Sequence, residues 1–248
     1  MKKYLWVVSY MTCSLFMMGV VMGYAEVSIN IDNKNGNVEI TGDGGTSRMG
    51  TVTGCIKGSG KEQTDDRPLT QFSEIKIDGI FEVVIDFKKK SSLVIRGDDN
   101  ILPHVTTQVK DQILTIRADK SICPKLNLVV QVSTEHLDRL TAEGANDITI
   151  SKMNNRKFSS TVNGASDLRI SGVAGRFFVK IDGTGTVRAK NLHTEETEVF
   201  IDGAGEAVVH ASRKLIAEID GAGDIRYYGN PPKVTKKIDG VGEIEPQE

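Results

Sequence analysis

Aromatic residues are scarce in this chain of 248 residues: they make up 6% of it, whereas glycine contributes 25 residues. Few aromatics and many glycines suit the thin rungs of a β-solenoid better than a thick globular core. The chain also lacks an excess of charge of either sign, because its net charge at pH 7 is −2. This balance argues against a basic field for nucleic acid and against a long acidic tail for a charged partner. A convincing helical period of apolar residues is missing as well.

Cysteine and histidine are too few and too scattered to indicate a metal or catalytic centre. The four histidines share none of the short spacings that bind metals or serve catalysis. Of the three cysteines, Cys13 lies in the N-terminal segment, which leaves Cys55 and Cys123. In an oxidising compartment we expect these two to form a disulfide, which would contribute roughly 4 kcal/mol through loop entropy. Two separate thiols are the alternative.

Residues 1–25 have the pattern of a secretory signal peptide. Lys2 and Lys3 precede an apolar stretch that extends to about Val21, and the small residues Gly23 and Ala25 suit cleavage after position 25. We therefore expect an exported protein, located in the periplasm, on the outer surface or outside the cell, with no membrane span in the mature chain. An uncleaved anchor is the alternative, since the apolar run is near the lower limit for crossing a bilayer.

The mature chain divides into two parts by composition. Residues 26–71 hold N-terminal strands, predicted as a hairpin or a first solenoid rung, and then a Gly-rich stretch from 42 to 71 that indicates a mobile loop or linker. Residues 72–248 form the predicted β-helix domain. Its strands alternate apolar and polar residues with period 2 and are rich in β-branched side chains.

A glycine returns every 18 to 20 residues from about residue 137 onward. It stands at Gly144, Gly164, Gly183, Gly203, Gly221 and Gly240. Its neighbours return with it, as in NGASDLRI, DGAGEAVV and DGAGDIRY. A fixed period in this range indicates stacked repeats, each burying its apolar face against the next. The sequence therefore predicts an all-β solenoid with coils of 18–20 residues and glycine corners that need positive φ or close backbone approach.

The order of blocks in the chain resembles a known family. FSEIKIDGIFEVVID, LVIRGDDNILPHVTTQVKDQILTI and the GAGD-type corners are similar to the putative auto-transporter adhesin, head GIN domain family of exported bacterial proteins. The resemblance covers roughly Phe72 to Glu243. It implies a single-stranded right-handed parallel β-helix and an exported or surface location, and it supplies no catalytic residues. The chain departs from the family in its 42–71 segment and in its third corner, which reads GTGT.

The residue before each repeated glycine is usually acidic. Stacking in register would align like charges about 5 Å apart, where they repel one another. Each carboxylate could accept hydrogen bonds from its own corner, which we favour, or adjacent carboxylates could bind Ca²⁺. No other cofactor is expected. The column before the glycine comprises Glu143, Asn163, Asp182, Asp202, Asp220 and Asp239, of which the last four are the candidate Ca²⁺ ligands. A second acidic column comprises Asp147, Asp167, Glu206, Asp224 and Glu243.

Adjacent aromatic pairs and one acidic pair complete the candidate residues. In Tyr227-Tyr228, as in Phe177-Phe178, one ring can enter the core while the other faces outward, where it could contact a sugar ring or a partner. Filling a cap or corner is the alternative for these rings. The acidic pair in GDDN at 97–100 is better explained as a turn than as an acid/base couple.

These observations predict a non-enzymatic exported binding or adhesin-like module. A rigid sheet would present repeated side chains for many weak contacts. The favoured ligand is a glycan or a cell-envelope component, and a cell-surface protein is another possible partner. Two alternatives stay open: a carbohydrate-active enzyme on the same fold, and a structural subunit that forms homo-oligomers through a sheet face or the open end of the solenoid.

Overall fold

The computed structural model consists of two units, residues 1–54 and residues 55–248. The predicted signal peptide lies outside the residues that the structure describes, which are 28–32, 37–42, 45–49, 54–88 and 90–248. The first unit is an antiparallel sheet of β1 (Ser28–Asp32), β2 (Asn37–Gly42) and β3 (Gly45–Met49). Pairing of β1 with β2 is antiparallel, which favours the hairpin over the solenoid rung for this segment.

The described part of the second unit contains strands and a single 3₁₀ turn, Leu102–His104. Within the described residues, no helix has the length and apolarity that crossing a bilayer requires. The strands are β4 (Ile56–Lys57), β5 (Glu62–Arg67), β6 (Glu74–Gly79), β7 (Glu82–Phe87), β8 (Ser92–Asp98), β9 (Val105–Lys110), β10 (Ile113–Ala118), β11 (Ile122–Cys123), β12 (Val129–Thr134), β13 (Arg139–Gly144), β14 (Asp147–Gly164), β15 (Asp167–Gly183), β16 (Thr186–His210), β17 (Lys214–Tyr228) and β18 (Lys233–Pro246).

Strands β13 to β18 stack in parallel and form the solenoid of about five turns. The strands from β14 onward are long because each continues through a corner and contributes to two sheet faces. Their register aligns equivalent residues of successive coils, so that one inward column contains Ile77, Ala142, Val162, Ile181, Ile201, Ile219 and Ile238. The predicted all-β solenoid is confirmed.

The core is a set of such inward columns. Most inward side chains are aliphatic and fully buried, and the ring of Phe158 stacks on that of Phe177 with centroids 5.9 Å apart. Burying one large aliphatic side chain contributes roughly 1.5–3 kcal/mol, which explains why a thin coil with few aromatics is stable once it is stacked.

The glycine corners are required by close backbone contact. Gly203 has φ of +137°, and a Cβ atom at this position would lie 2.5 Å from the carbonyl oxygen of Gly183 in the preceding coil. Gly164 is equally constrained, since its Cβ would lie 2.6 Å from the oxygen of Gly144. Both predicted reasons for the repeated glycine, positive φ and tight approach, therefore hold.

Antiparallel strands complete the N-terminal part of the second unit. On one face β10 pairs parallel with β6 and antiparallel with β9, and on the other β8 lies antiparallel between β12 and β5. Strand β5 falls in the stretch that the sequence indicates as a loop or linker. Its side chains, EQTDDR, are polar and mostly exposed, so its position depends on backbone pairing with β8 and carries no alternating apolar signal.

A disulfide joins Cys55 to Cys123, with Cα atoms 5.5 Å apart. It lies beside the short parallel pair of β4 and β11. The bridge connects the start of the second unit to a segment 68 residues later.

Candidate functional site

A shallow groove lies on the outward face formed by the first halves of β14, β15 and β16. Its volume is about 330 Å³. The buried side chains of Ile150 and Ile170 form part of its lining, and polar and basic side chains supply the rest. The full lining is Thr149, Ile150, Arg169, Ile170, Ser171, Arg188, Lys190 and Asn191.

An irregularity in strand pairing accompanies the groove. Between β15 and β16, Arg169 pairs with Arg188 but Ser171 pairs with Asn191, so β16 holds one extra residue. A second shift follows Ile150, between β14 and β15. Bulges of this kind bend a strand and redirect its side chains, and they are frequent next to functional sites. The bulge places both Lys190 and Asn191 along the groove.

The arginines of the groove pair with the second acidic column. Arg169 forms ion pairs with Asp147 and, at 3.6 Å, with Asp167, and Arg188 lies 3.1 Å from Asp167. The same arrangement recurs farther along, where Arg226 lies 2.5 Å from Glu206. Arginines therefore pair with Asp147, Asp167 and Glu206 of this column, whereas the position two residues farther along holds Thr149 in β14 and Glu245 in β18.

Lys190 lies against an aromatic ring. Its Nζ atom is 4.0 Å from the ring centroid of Tyr228, a cation–π contact between side chains. Tyr228 is half-buried and faces outward, whereas Tyr227 is 7% exposed and lies in the core with Nζ of Lys236 above its ring. The alternation predicted for this pair is confirmed, and of the two predicted ligand contacts the structure brings only Tyr228 to the surface near the groove.

Two histidines lie close to this tyrosine. His210 is the strand partner of Tyr228, and its ring meets that of His193 edge-on with centroids 4.9 Å apart. Burial lowers the pKa of His210, the neighbouring His193 lowers it further, and the N–H of Thr194, which donates to Nδ1 over 3.3 Å, only partly offsets them. A neutral imidazole is therefore favoured beside Tyr228.

The first acidic column is in register, as expected, but its partners differ from the expected ones. The corner N–H groups already donate to the preceding coil, as Thr184 does to the oxygen of Gly164 over 2.8 Å. Carboxylates pair instead with lysines: Lys180 lies 3.7 Å from Asp182 and 3.6 Å from Asp202. The hydrogen bonds that we expected from the corners to these carboxylates are therefore replaced by ion pairs. The backbone N–H groups of the corners are not free to form them, because they already donate to carbonyl oxygens of the preceding coil.

Lys237 forms ion pairs of the same kind at the last coil. It pairs with Asp239 at 2.6 Å and with Glu218 at 2.7 Å, and these hydrogen bonds raise the pKa of the lysine. Asp220 stands in register between Asp202 and Asp239. Among the described residues, no group of three or more His, Cys, Asp or Glu side chains is arranged to hold a metal ion.

The acidic pair in GDDN is divided between a strand and a turn: Asp98 is the last residue of β8, whereas Asp99 begins the turn, so the predicted turn is confirmed for Asp99 and wrong for Asp98. Asp98 is fully buried at the end of β8, and its carboxylate accepts hydrogen bonds from the N–H groups of Gly60, Lys125 and Leu126 over 2.6, 2.9 and 3.0 Å. Burial raises the pKa of Asp98, but these bonds outweigh it, so the pKa lies below its ordinary value. A general acid needs a raised pKa, so Asp98 is a structural carboxylate.

Sequence reasoning missed the groove, although part of its signal is present. The motif D-x-R occurs at two coils, as Asp167-Leu168-Arg169 and as Asp224-Ile225-Arg226, and places an acid and an arginine on the same outward face. The bulge beside Asn191 could not be recognised in the sequence, because one extra polar residue in a polar stretch does not visibly change the alternation of apolar and polar residues.

The fold defines a class: a β-solenoid, here with an open groove that is lined by aliphatic, polar and basic side chains. Within that class, the chain belongs to the family described as putative auto-transporter adhesin, head GIN domain, whose model matches residues 71–231. The resemblance inferred from the sequence is confirmed.

One solved structure has the same fold, and two others are also similar to this chain. A putative adhesin from Bacteroides fragilis NCTC 9343 is 22% identical, with a TM-score of 0.66 over 77% of this chain and 100% of that one. A putative lipid binding protein and a putative adhesin, both from Parabacteroides distasonis ATCC 8503, are 18% and 21% identical, with TM-scores of 0.47 and 0.48. They cover 77% and 78% of this chain and 100% of their own. A search of the curated proteins found no match.

Proposed function

We propose that this protein is an exported, non-enzymatic, adhesin-like module that binds a glycan or another cell-envelope component through the groove beside Tyr228. The observation that carries the proposal is the composition of the groove. Aliphatic side chains lie beneath a row of hydrogen-bond donors, and an outward aromatic ring lies next to them.

Sugars suit such a surface because they have both apolar faces and polar edges. An aromatic ring such as that of Tyr228 can pack against the face of a sugar ring. Asn191, Arg188 and Thr149 can bind hydroxyl groups, since amides, guanidinium groups and hydroxyls form directional hydrogen bonds. The groove is open and spans several coils, which suits a chain-like ligand held by many weak contacts.

The arrangement of carboxylates supports binding rather than catalysis. Glycoside hydrolysis generally needs two carboxyl groups on either side of the scissile bond. The groove lining includes no carboxylate, and the nearest ones, Asp147 and Asp167, are paired with arginines. The predicted signal peptide and the family of putative adhesins support export and a surface or periplasmic location.

A glycan array tests the proposal. The protein, purified after export, is applied with calcium and again with a chelator, and Tyr228→Ala is compared with Phe178→Ala, an outward aromatic that is 36% exposed on the other sheet face. Binding to a glycan class should be lost in Tyr228→Ala and kept in Phe178→Ala. An array without selective binding in either condition would contradict the proposal.

We propose oligomerisation through the last coil as a second candidate function. Val234, Ile238 and Val241 in β18 are 37%, 42% and 76% exposed, and in the described residues no strand covers the outer edge of β18. A second copy of the chain fits this edge. If two β18 strands paired antiparallel about a two-fold axis, the basic half of each would face the acidic half of the other; the charges are Lys233, Lys236, Lys237, Asp239, Glu243 and Glu245.

Light scattering over a range of concentrations separates this candidate from a monomer. A dimer should form in the parent and dissociate in Ile238→Glu. Val173→Glu is the control, because Val173 is 55% exposed and lies away from β18. A parent that stays monomeric at every concentration would exclude this function and leave glycan binding untouched.

A further inference from the structure

We infer that the ligand of the groove is an anionic polysaccharide that runs along the solenoid axis across successive coils, with its charged groups bound by Arg188 and Lys190. The inference rests on the proposed function, because it names the chemical class of ligand for the same groove.

The charges around the groove favour an anion. Arg169, Arg188 and Lys190 line it, whereas the two neighbouring carboxylates, Asp147 and Asp167, lie outside the lining. Three positive charges against two negative ones leave an excess of one positive charge. Lys190 belongs to none of the ion pairs formed among the described residues, and its Nζ atom lies over a neutral ring instead.

The spacing of the cations suits a polymer. Arg169 and Arg188 are strand partners in adjacent coils, and adjacent strands of a sheet are about 4.8 Å apart. That distance is comparable to the length of one sugar residue in a polysaccharide. A chain with one carboxylate or sulfate on each residue, or on alternate residues, can therefore place successive charges against successive coils. Arginine binds such planar or tetrahedral oxyanions through two parallel hydrogen bonds.

The present partners of the arginines can be exchanged for a ligand. The side chains of Arg169 and Arg188 are 44% and 47% exposed, and that of Asp167 is 40% exposed. Ion pairs at this exposure are weak because solvent screens them and both side chains must be held in place. A ligand anion can therefore share or replace the aspartate without a large cost.

Within the outward column that contains Arg169 and Arg188, the excess of positive charge does not extend to the last two coils. Arg226 stands in the same outward column and is 44% exposed, like Arg169. It pairs with Glu206, and the next residue of its column, Glu245, is acidic. Arg226 is therefore a matched control: it has the same side chain, column and exposure, but it lies outside the groove.

Binding of matched polymers tests the inference. Polygalacturonate provides one carboxylate on each sugar, fully methyl-esterified polygalacturonate provides the same backbone without charge, and a sulfated polysaccharide provides the other anion. The parent should bind an anionic polymer at least about tenfold more tightly than the esterified one, and added salt should weaken that binding. The tighter of the two anionic polymers identifies the anion.

Variants then place the binding in the groove. Arg188→Gln and Lys190→Gln should each lose about tenfold in affinity for the anionic polymer, the loss expected for one charge-assisted contact, whereas Arg226→Gln should bind like the parent. Because these residues are exposed, we expect each variant to fold like the parent. An unchanged Tm checks this. An equal loss in Arg226→Gln would show diffuse charge attraction and overturn the inference.

The two proposals fail in different ways. Equal binding of the charged and esterified polymers, with Lys190→Gln unaffected, would overturn the anionic class and leave glycan binding standing. No binding to any of these polymers, together with a negative array, would overturn both. Selective array binding to neutral glycans alone would retain the proposed function and reject the anion.

Discussion

The N-terminal part of the second unit, residues 55–134, and the repeats, residues 139–246, cover their strand edges in different ways. In the repeats each coil is covered by the next, and the same contacts recur: a glycine corner, inward aliphatic columns and outward ion pairs. The N-terminal part instead turns its outer strands antiparallel and holds them by contacts that occur once, such as the disulfide, buried Asp98, and Arg67, which donates to the oxygens of Val105 and Leu102.

This difference predicts where single changes act. Stability in stacked repeats is the sum of many similar interfaces, so one altered coil affects mainly its neighbours. A unique contact has no equivalent to replace it, so its loss should open the N-terminal part while the repeats stay closed. Hydrogen exchange can follow the two parts separately, because it reports local opening free energies.

Removing the disulfide should have the largest effect. Cys55→Ser together with Cys123→Ser frees a loop closed by residues 68 positions apart, and loop entropy predicts a loss of about 4 kcal/mol. Exchange should accelerate across residues 55–134 and much less across 139–246. Equal acceleration in both parts would mean that they unfold as a single cooperative unit and that the N-terminal part does not open separately from the repeats.

A glycine corner should break the repeats instead. Gly203→Ala introduces a Cβ atom 2.5 Å from the oxygen of Gly183 at a φ of +137°, and steric strain of this kind costs about 3 kcal/mol. Exchange should rise in the coils on either side of the corner. Gly54→Ala is the control, since a Cβ atom there has no neighbour within 4 Å. If Gly203→Ala and Gly54→Ala changed hydrogen exchange to the same extent, close contact between the backbones of adjacent coils would not be the reason for the repeated glycine.

Asp98→Asn should weaken the N-terminal part by about 2 kcal/mol at neutral pH, because an amide cannot accept all of the hydrogen bonds that the carboxylate accepts. The folded pKa of Asp98 lies below the ordinary value of 3.8. Its stabilisation is therefore complete above the unfolded pKa and is lost as the pH falls through the folded pKa.

Denaturant unfolding at several pH values, with exchange as the regional readout, checks this dependence. The difference between parent and Asp98→Asn should narrow as the pH falls below about 4, where the unfolded carboxyl takes up a proton, and the stabilisation should be lost as the pH falls through the lower folded pKa. A difference that stays constant down to the lowest pH would show that the charge of Asp98 does not stabilise the fold.

The two parts also differ in how far the sequence predicts them. The repeats could be predicted because a period of 18–20 residues requires every coil to place its glycine, its aliphatic residues and its acidic residue at the same point. Strand β5 and the role of Asp98 could not, since both depend on backbone partners distant in sequence. The ion pairs of the first acidic column could not be predicted either, because lysines such as Lys180 and Lys237 occur in only some coils and do not follow the repeat.

Substitutions in the first acidic column should have the smallest effect on stability. Asp202→Asn together with Asp220→Asn removes an exposed ion pair to Lys180 but also reduces repulsion along the column, so stability should change by less than about 1 kcal/mol. Because lysines already neutralise part of this column, the Tm of the parent should be the same with calcium as with a chelator. A Tm that rises with calcium in the parent and not in the double variant would show instead that adjacent coils share a bound cation through these carboxylates.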